Sequence, residues 1–361
     1  MTPTSDGTRT QQDSRDPAEA DPQGIDGPAL RRWISRTQGV DPETVGFSVL
    51  SVGRSNLTFV VTLAGEPRWV LRRPPLGHQG GSAHDVQREG RIMAALGPTN
   101  VPVPTILEIV DDLDVLEVPF VFQDHCPGFP IHAPEDLALI PASGSVRDSM
   151  LSMVRALGAV HAVDIDAVGL GDLRRPGGFV ERQLRRWLGQ FEAITTRELP
   201  VIAEVQAQLS RSIPPETSTG LVHGDVKPNN MLFDRDTGEV RAIVDWELSS
   251  IGDVVTDLGY LLSMMFVDDS LTGIWTPSVE DGSPTAEELT RTYASLTGRD
   301  TSDVPYYAAF AVWKLACIRE GVYTRLKQGR MGDLDVDPEQ AGASVEALAA
   351  SALDILSGGR I

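Results

Sequence analysis

The feature that most constrains this chain is the segment at residues 222–247, which reads VHGDVKPNNMLFDRDTGEVRAIVDWE. Pro228 excludes a regular helix through its first part, so the chain from Asp225 to Asn230 is predicted to form an ordered loop. A short apolar run, a turn containing Asp and Gly, and a second apolar run follow, which is the pattern of a β-hairpin. Asp225 and Asn230 precede the first strand and Asp245 follows the second, so all three are expected at the same end of the hairpin.

Three oxygen-bearing side chains at one point suit the transfer of a phosphoryl group to a hydroxyl. That reaction needs a carboxylate at the attacking hydroxyl and hard oxygen ligands for the Mg²⁺ that bridges the phosphates. Asp225 fits the first role as the catalytic base, and Asn230 and Asp245 fit the second as metal ligands. His223 is the other candidate catalytic residue, with the role of shaping the loop and contacting the region of Asp245. The alternative is that His223 and Asp225 only brace a turn, and the presence of the other two residues argues against it.

The order of these residues resembles a kinase pattern. In kinases, a His-x-Asp catalytic loop has an Asn five residues after the Asp, and a metal-binding Asp follows in the next motif. Here Gly224 replaces the usual Arg, and Trp-Glu follows Asp245 in place of Phe-Gly, which separates the chain from protein kinases. With its His-Gly-Asp, the chain resembles the aminoglycoside phosphotransferase and choline kinase superfamily. The stretches SVGRSNLTF, WVLRRPP and IVDWELSSIGDVVTDLGYLL resemble one branch of it, the phosphotransferase domains of acyl-CoA dehydrogenase family members 10 and 11.

The resemblance implies a fold and a division of the chain. The fold is α+β and bilobal, protein-kinase-like, with a small β-rich N-lobe and a larger, mainly helical C-lobe. The expected parts are a disordered acidic tail at 1–27, a nucleotide-binding N-lobe at 28–122, a hinge at 123–128, and a catalytic and acceptor-binding C-lobe at 129–361.

The same resemblance implies an activity. It indicates a kinase that uses ATP, or GTP, and whose partner is a small-molecule hydroxyl acceptor. Antibiotics, choline, sugars, amino-alcohols and hydroxylated acyl compounds all remain candidate acceptors. Helices expected at 179–191 and 199–209 would help to wall the acceptor pocket. The alternatives are a non-catalytic nucleotide-binding scaffold with the same fold and, within the favoured class, an aminoglycoside or macrolide antibiotic kinase.

A second set of candidates concerns the nucleotide phosphates. In the turn from Gly53 to Asn56, backbone N–H groups and the side chains of Ser55 and Asn56 can approach phosphate oxygens. An ordinary hairpin turn fits the pattern equally well. Arg72 stands on the next strand, in the place of the kinase lysine that binds the α- and β-phosphates. Alternation along the strand favours Arg72 over its neighbour Arg73.

The partner predicted for Arg72 is Glu89, in the middle of the helix that follows. An ion pair between them would hold the arginine toward the phosphates; the alternative is that Glu89 pairs with an arginine of its own helix. The chain changes from apolar to polar after the last strand of the small lobe. Groups near Gln123 and His125 are expected to meet the adenine there.

Composition limits the class of partner. The net charge of −20 disfavours nucleic acid and anionic membranes, because both would need a basic face, and it is compatible with a cationic substrate. The longest apolar stretch, around Leu258 to Val267, is too short to span a bilayer. Cys126 and Cys317 are the only cysteines, so neither a disulfide framework nor a zinc site is expected. These features predict a cytoplasmic protein, and no pattern indicates its oligomeric state.

Overall fold

The computed structural model describes residues 21–52, 56–76, 85–329 and 337–359. Contacts between Cα atoms divide the chain into two compact units. Within the described residues, the first unit takes its members from Met1–Gln87 and Leu107–His125, and the second from Arg88–Ile106 and Cys126–Ile361. The first is built mainly on a sheet and the second mainly on helices, so the α+β class is confirmed. The lobe boundaries placed around residues 123–128 remain a prediction.

The first unit is organised around a five-stranded sheet in the order β1-β2-β3-β5-β4, in which β1, β2 and β3 form an antiparallel meander. Trp33 packs edge-on against Phe120 and Phe122 of β5, with ring centroids 5.2 Å apart in both pairs. Up to residue 125 the described elements are α1 (Gly27–Gln38), β1 (Val45–Val52), β2 (Leu57–Leu63), β3 (Glu66–Arg73), α2 (Val86–Leu96), β4 (Ile106–Val110), α3 (Leu113–Leu116) and β5 (Phe120–Asp124).

Helix α1 shows how local sequence sets an element. Asp26 caps its start by accepting a hydrogen bond from the N–H of Ala29 at 2.9 Å, and Pro28 occupies the first turn, where no N–H is needed. Gly39 ends the helix in the left-handed conformation, with φ of 69°. Leu30 is fully buried on the inner face.

The second unit is a helical core with two small antiparallel sheets, β6–β9 and β7–β8. Helix α10 is apolar around most of its circumference, as expected for a helix packed by others, and it contacts α5, α6, α7 and α11. The elements are α4 (Val146–His161), α5 (Phe179–Ile194), α6 (Pro200–Arg211), β6 (Thr219–Val222), β7 (Met231–Phe233), β8 (Val240–Ile243), β9 (Ser250–Asp253), α7 (Val255–Phe266), α8 (Asp269–Thr272), α9 (Ala286–Thr297), α10 (Val304–Lys327) and α11 (Pro338–Leu356). Across the part of the chain that the structure describes, every helix is too short or too polar to traverse a lipid bilayer.

Candidate active site

The loop that carries Asp225 runs from the end of β6 to the start of β7. Gly224 begins it with φ of 86°, a conformation that side chains with a Cβ rarely adopt. A Cβ at this position would also lie 2.8 Å from the backbone oxygen of Leu248. Both facts require glycine, which explains why this loop has Gly where protein kinases have Arg.

The loop is held from beneath by Asp257, in the first turn of α7. Its carboxylate accepts hydrogen bonds from the N–H of His223 at 2.7 Å and of Gly224 at 2.8 Å. The same carboxylate accepts from Nε2 of His161 at 3.2 Å, and Tyr293 donates its hydroxyl to Nδ1 of His161 at 2.7 Å. Burial lowers the pKa of His161, although Asp257 opposes the shift. His161 is therefore a buried core histidine, and Asp257 braces the loop.

His223 ties the loop to the hairpin. Its Nδ1 accepts from the N–H of Asp225 at 3.2 Å, and its Nε2 donates to the backbone oxygen of Val244 at 3.1 Å. The ring packs edge-on against Trp246, with centroids 4.7 Å apart. Both ring nitrogens are thus engaged by backbone on either side of the site, which fits the loop-shaping role predicted for His223.

The Asp225 carboxylate receives three donors. Tyr260 donates its hydroxyl to Oδ1 at 2.5 Å, while Nδ2 of Asn230 and Nζ of Lys227 lie 2.7 and 2.8 Å from Oδ2. Burial alone would raise the pKa of Asp225, but Lys227, Tyr260 and Lys314 outweigh it and lower the pKa. The side chain keeps 14% of its surface exposed, so an ionised carboxylate is held in place and still accessible.

The hairpin holds Asn230 at this carboxylate and carries Asp245 just after its second strand. Met231 of β7 pairs with Ile243 of β8, and the N–H of Val244 donates to the backbone oxygen of Asn230 at 3.0 Å. Asp245 follows in the left-handed conformation, with φ of 67°. Burial is the main cause that raises the pKa of Tyr260, and the charge of Asp245 adds to the same shift.

The two predicted metal ligands fit Mg²⁺ by their chemistry. Nδ2 of Asn230 donates to the backbone oxygen and to Oδ2 of Asp225, and among the described residues nothing donates to its Oδ1. Together with the Asp245 carboxylate, this gives hard oxygen donors at the same end of the hairpin. The described residues hold no group of three or more His, Cys, Asp or Glu side chains that could cage a metal. Mg²⁺ characteristically takes one or two protein oxygens and completes its shell with phosphates and water.

A small cavity lies beside the loop that carries Asp225. Its volume is about 40 Å³, and its walls come largely from α5, α7 and α10. Helix α5 contributes four of the lining residues, whereas no residue of α6 is among them. Nζ of Lys314 donates to the backbone oxygen of Gly224 at 3.3 Å. Burial lowers the pKa of Lys314, and the Asp225 and Asp257 carboxylates oppose that shift.

Sequence reasoning missed three residues around Asp225, namely Lys227, Tyr260 and Lys314. A signal existed for Lys314, because a lysine interrupts the apolar run AVWKLAC of α10. Lys227 lies in the loop already singled out, but its pairing with Asp225 depends on the loop conformation. Tyr260 had no signal beyond a tyrosine on an apolar helix.

The nucleotide candidates of the first unit are placed as follows. Arg72 is half-buried in β3, opposite Thr58 and Val121, while Arg73 is buried and donates to the backbone oxygen of Gly24 at 2.5 Å. Burial lowers the pKa of Arg73. The choice of Arg72 over Arg73 as the phosphate ligand stays a prediction.

The remaining candidates fall on both units. Asn56 and Gln123 are buried, and the N–H of His125 donates to the backbone oxygen of Arg68 at 3.0 Å. Burial lowers the pKa of His125.

Glu89 is buried in α2, where its Oε1 accepts from the N–H of Trp246 at 3.3 Å. The ion pair with Arg72 stays a prediction, and Gly53 and Ser55 lie outside the described residues.

Comparison with known proteins adds independent findings. A family model described as "Phosphotransferase enzyme family" matches residues 46–294. Acyl-CoA dehydrogenase family member 10 of Mus musculus is 34% identical over 308 residues, which cover 84% of this chain and 28% of that protein. The chain therefore spans little more than a quarter of the length of this relative.

Solved structures share the fold. A crystal structure from Ralstonia eutropha JMP134, assigned to the aminoglycoside phosphotransferases, has a TM-score of 0.76 and 28% identity, covering 93% of this chain and all of that one. Choline kinase from Cryptosporidium parvum Iowa II has a TM-score of 0.64 and 14% identity, with 92% and 97% covered. A ternary complex of APH(4)-Ia with ADP and hygromycin B has a TM-score of 0.56 and 16% identity, with 90% and 98% covered. The predicted protein-kinase-like fold and the predicted resemblance are confirmed.

Proposed function

The chain belongs to the phosphotransferase enzyme family, and from this premise we propose that it transfers the γ-phosphoryl group of ATP or GTP to a hydroxyl of a small molecule. The observation that carries the proposal is the Asp225 carboxylate. It is ionised, partly accessible, and fixed by Tyr260, Lys227 and Asn230 at the end of the hairpin that also bears Asp245. A residue that only braced a turn would not need three side-chain donors on a carboxylate.

In the proposed reaction, Asp225 accepts a hydrogen bond from the acceptor hydroxyl and aims its oxygen at the γ-phosphorus. The new bond forms between these two atoms, and the bond from the γ-phosphorus to the β–γ bridging oxygen breaks, which releases the nucleoside diphosphate. The hydroxyl proton passes to Asp225. Because its pKa is lowered, Asp225 is a weak base that mainly orients the nucleophile, as a loose transition state requires.

Asn230 and Asp245 are the residues that we assign to Mg²⁺. When bound, the ion would neutralise charge on the phosphates. The chain's own contribution is to position these groups. The amide nitrogen of Asn230 holds Asp225, and its Oδ1 is offered to the metal, so this one side chain both fixes the orienting carboxylate and supplies a metal ligand. The hydrogen bond from His223 to the backbone oxygen of Val244 links the loop to the residue directly before Asp245.

We assign donor binding to the first unit. Arg72 and the turn from Gly53 to Asn56, with Ser55, would hold the phosphates, and groups near Gln123 and His125 would meet the base. Glu89, which belongs to the second unit, is the acidic residue that we assign as the support of Arg72. The ADP held by one structural neighbour supports a nucleotide as donor. We also place the protein in the cytoplasm, since its two cysteines are free thiols.

The proposal is tested by adding ATP or GTP and Mg²⁺ with a panel of hydroxylated small molecules, and by measuring nucleoside diphosphate release and phosphorylated product. Asp225→Asn should keep nucleotide affinity and lose turnover by about 10²- to 10⁴-fold, the usual contribution of a positioned acid–base group. The control is Asp236→Asn, an exposed carboxylate in the turn of the same hairpin. Equal turnover in Asp225→Asn and wild type would refute the assignment.

A further inference from the structure

The cavity beside the catalytic loop has a distinct lining. Helix α5 contributes Gln183, Arg186 and Trp187, and α7 and α10 contribute Tyr260 and Lys314, with Phe310 closing one wall. A volume of about 40 Å³ accommodates roughly three water-sized spheres. Drug-sized ligands occupy pockets of about 300–1,000 Å³. The cavity therefore has the size to hold a small group on a ligand, such as a carboxylate or a phosphate.

The ammonium group of Lys314, which lines this cavity, has N–H donors that no described residue accepts. An ammonium group has three N–H donors. Among the described residues, Lys314 donates only to the backbone oxygen of Gly224, and it forms no ion pair; its other contacts are with the rings of Trp187 and Tyr260, at 5.4 and 5.2 Å from Nζ. A largely desolvated cation with unused donors is costly unless an anion completes its shell.

Arg186 adds a second cation to the same wall. Its guanidinium carbon lies 5.5 Å from the ring centroid of Trp187, so Arg186 and Lys314 both flank this ring. Within the described part of the chain, Arg186 has no carboxylate partner either. The Asp257 carboxylate also lines the cavity, and its two oxygens accept hydrogen bonds from the N–H groups of His223 and Gly224. The lining therefore holds two cations and one carboxylate, and Lys314 keeps N–H donors that can bind a ligand.

The cavity is close to the reacting atoms. Tyr260 lies between the two: its hydroxyl binds Oδ1 of Asp225 at 2.5 Å, and its ring faces Lys314. Gly224, whose oxygen accepts from Lys314, is the residue directly before Asp225. A ligand that reaches from Asp225 to Lys314 therefore spans about one aromatic ring, which corresponds to a few covalent bonds.

We propose that Lys314 and Arg186 form an oxyanion subsite, so that the acceptor is a small hydroxylated anion whose carboxylate or phosphate lies a few bonds from the hydroxyl to be phosphorylated. The inference rests on the proposed function, since it assigns the acceptor class of that same site. Trp187, Tyr260 and Phe310 would contact the short apolar stem that joins the two groups. Lys314 is thereby a specificity-determining residue that binds the acceptor.

The test compares matched acceptors with the full-length protein, ATP and Mg²⁺. The probes are aliphatic hydroxy acids with two to five bonds between hydroxyl and carboxyl, their methyl esters, and the phosphate monoesters of the corresponding diols. The wild type should prefer an acid or a phosphate over the neutral ester by about 10- to 100-fold in kcat/KM, the scale of a hydrogen bond to a charged group. Carboxylate and phosphate probes identify which anion is used.

Variants of Lys314 and Arg186 show which residues cause the preference for an anionic acceptor. Lys314→Gln should lose it, lowering kcat/KM for the anion about 10- to 100-fold more than for the ester, and Lys314→Arg should restore part of it. Arg186→Gln changes an exposed side chain and should keep the fold while raising KM for the anion. Equal use of acid and ester by the wild type, or an equal loss on both with Lys314→Gln, would overturn the subsite.

Direct binding separates this proposal from the kinase proposal. Calorimetry with the hydroxy acids, without nucleotide, should show affinity that Lys314→Gln removes and that Asp225→Asn retains. Such binding with no phosphorylation of any probe would support the subsite and count against the kinase. Phosphorylation of neutral or cationic acceptors that depends on Asp225 but not on Lys314 would support the kinase and overturn the subsite.

Discussion

Gly224→Ala offers a quantitative test of the loop geometry. Gly224 has φ of 86°, and a methyl group there would lie 2.8 Å from the backbone oxygen of Leu248 and 3.2 Å from its Cβ. The left-handed conformation costs a residue with a Cβ about 1–2 kcal/mol, and forcing an extra group into packed surroundings adds about 1–3 kcal/mol. The free energy of unfolding should therefore fall by about 2–5 kcal/mol relative to the wild type.

Gly169→Ala is the matched control in the same unit. Its φ is 73°, but nothing lies within 4 Å of the position where a Cβ would stand. It should lose only the conformational part, about 1–2 kcal/mol. The stiffening of the unfolded chain by alanine is common to both variants and cancels in their difference. Urea titrations followed by tryptophan fluorescence give both values.

Activity supplies the second measurement for this pair. Relief of the contact with Leu248 must move the backbone that carries Asp225, and a displacement near 1 Å costs on the order of 10²-fold in rate. Gly224→Ala should therefore lose turnover by about that factor, while Gly169→Ala keeps it. If both variants lose the same stability and keep full turnover, the explanation of the His-Gly-Asp glycine by this contact is wrong.

Two other perturbations follow from the site. Asp245→Ala should abolish Mg²⁺-dependent nucleotide binding in calorimetry, while Asp236→Asn leaves it unchanged; retained Mg²⁺ dependence would contradict the metal role. Burial lowers the pKa of His161 from its ordinary 6.5, so below that pH the unfolded chain binds more protons than the folded one and stability falls as pH falls. His161→Gln should flatten this slope between pH 5 and 7 in thermal unfolding; an unaltered slope would assign it to other groups.

The hairpin could be predicted because its determinants are local. Pro228, two short apolar runs and a turn lie within one stretch of sequence, and antiparallel pairing then places Asn230 beside Val244 and Asp245 next to it. The bracing role of Asp257 was also predictable, because it rests on a resemblance that includes α7. The two helices expected at 179–191 and 199–209 appear at Phe179–Ile194 and Pro200–Arg211, because capping and tertiary packing set the ends.

The surroundings of Asp225 could not be predicted, because they come from helices far away in sequence. Tyr260 and Lys314 reach the loop from α7 and α10, and only the packing of these helices decides which way each side chain faces. A lone lysine in an apolar helix is compatible with a solvated edge as well as with a desolvated site. The ion pair of Lys227 with Asp225 likewise depends on the turn at Pro228 that folds the loop back.

The charge of the whole chain and the charge at the site point in opposite directions. A net charge of −20 is compatible with a cationic acceptor, yet Lys227, Lys314 and Arg186 stand around or behind Asp225. Exposed charges farther away than about 10 Å are largely screened by salt, whereas a desolvated cation acts at full strength on what it touches. The groups that line the cavity, which are Lys314 and Arg186 with the Asp257 carboxylate, therefore bear more on the choice of acceptor than the distant surface carboxylates do.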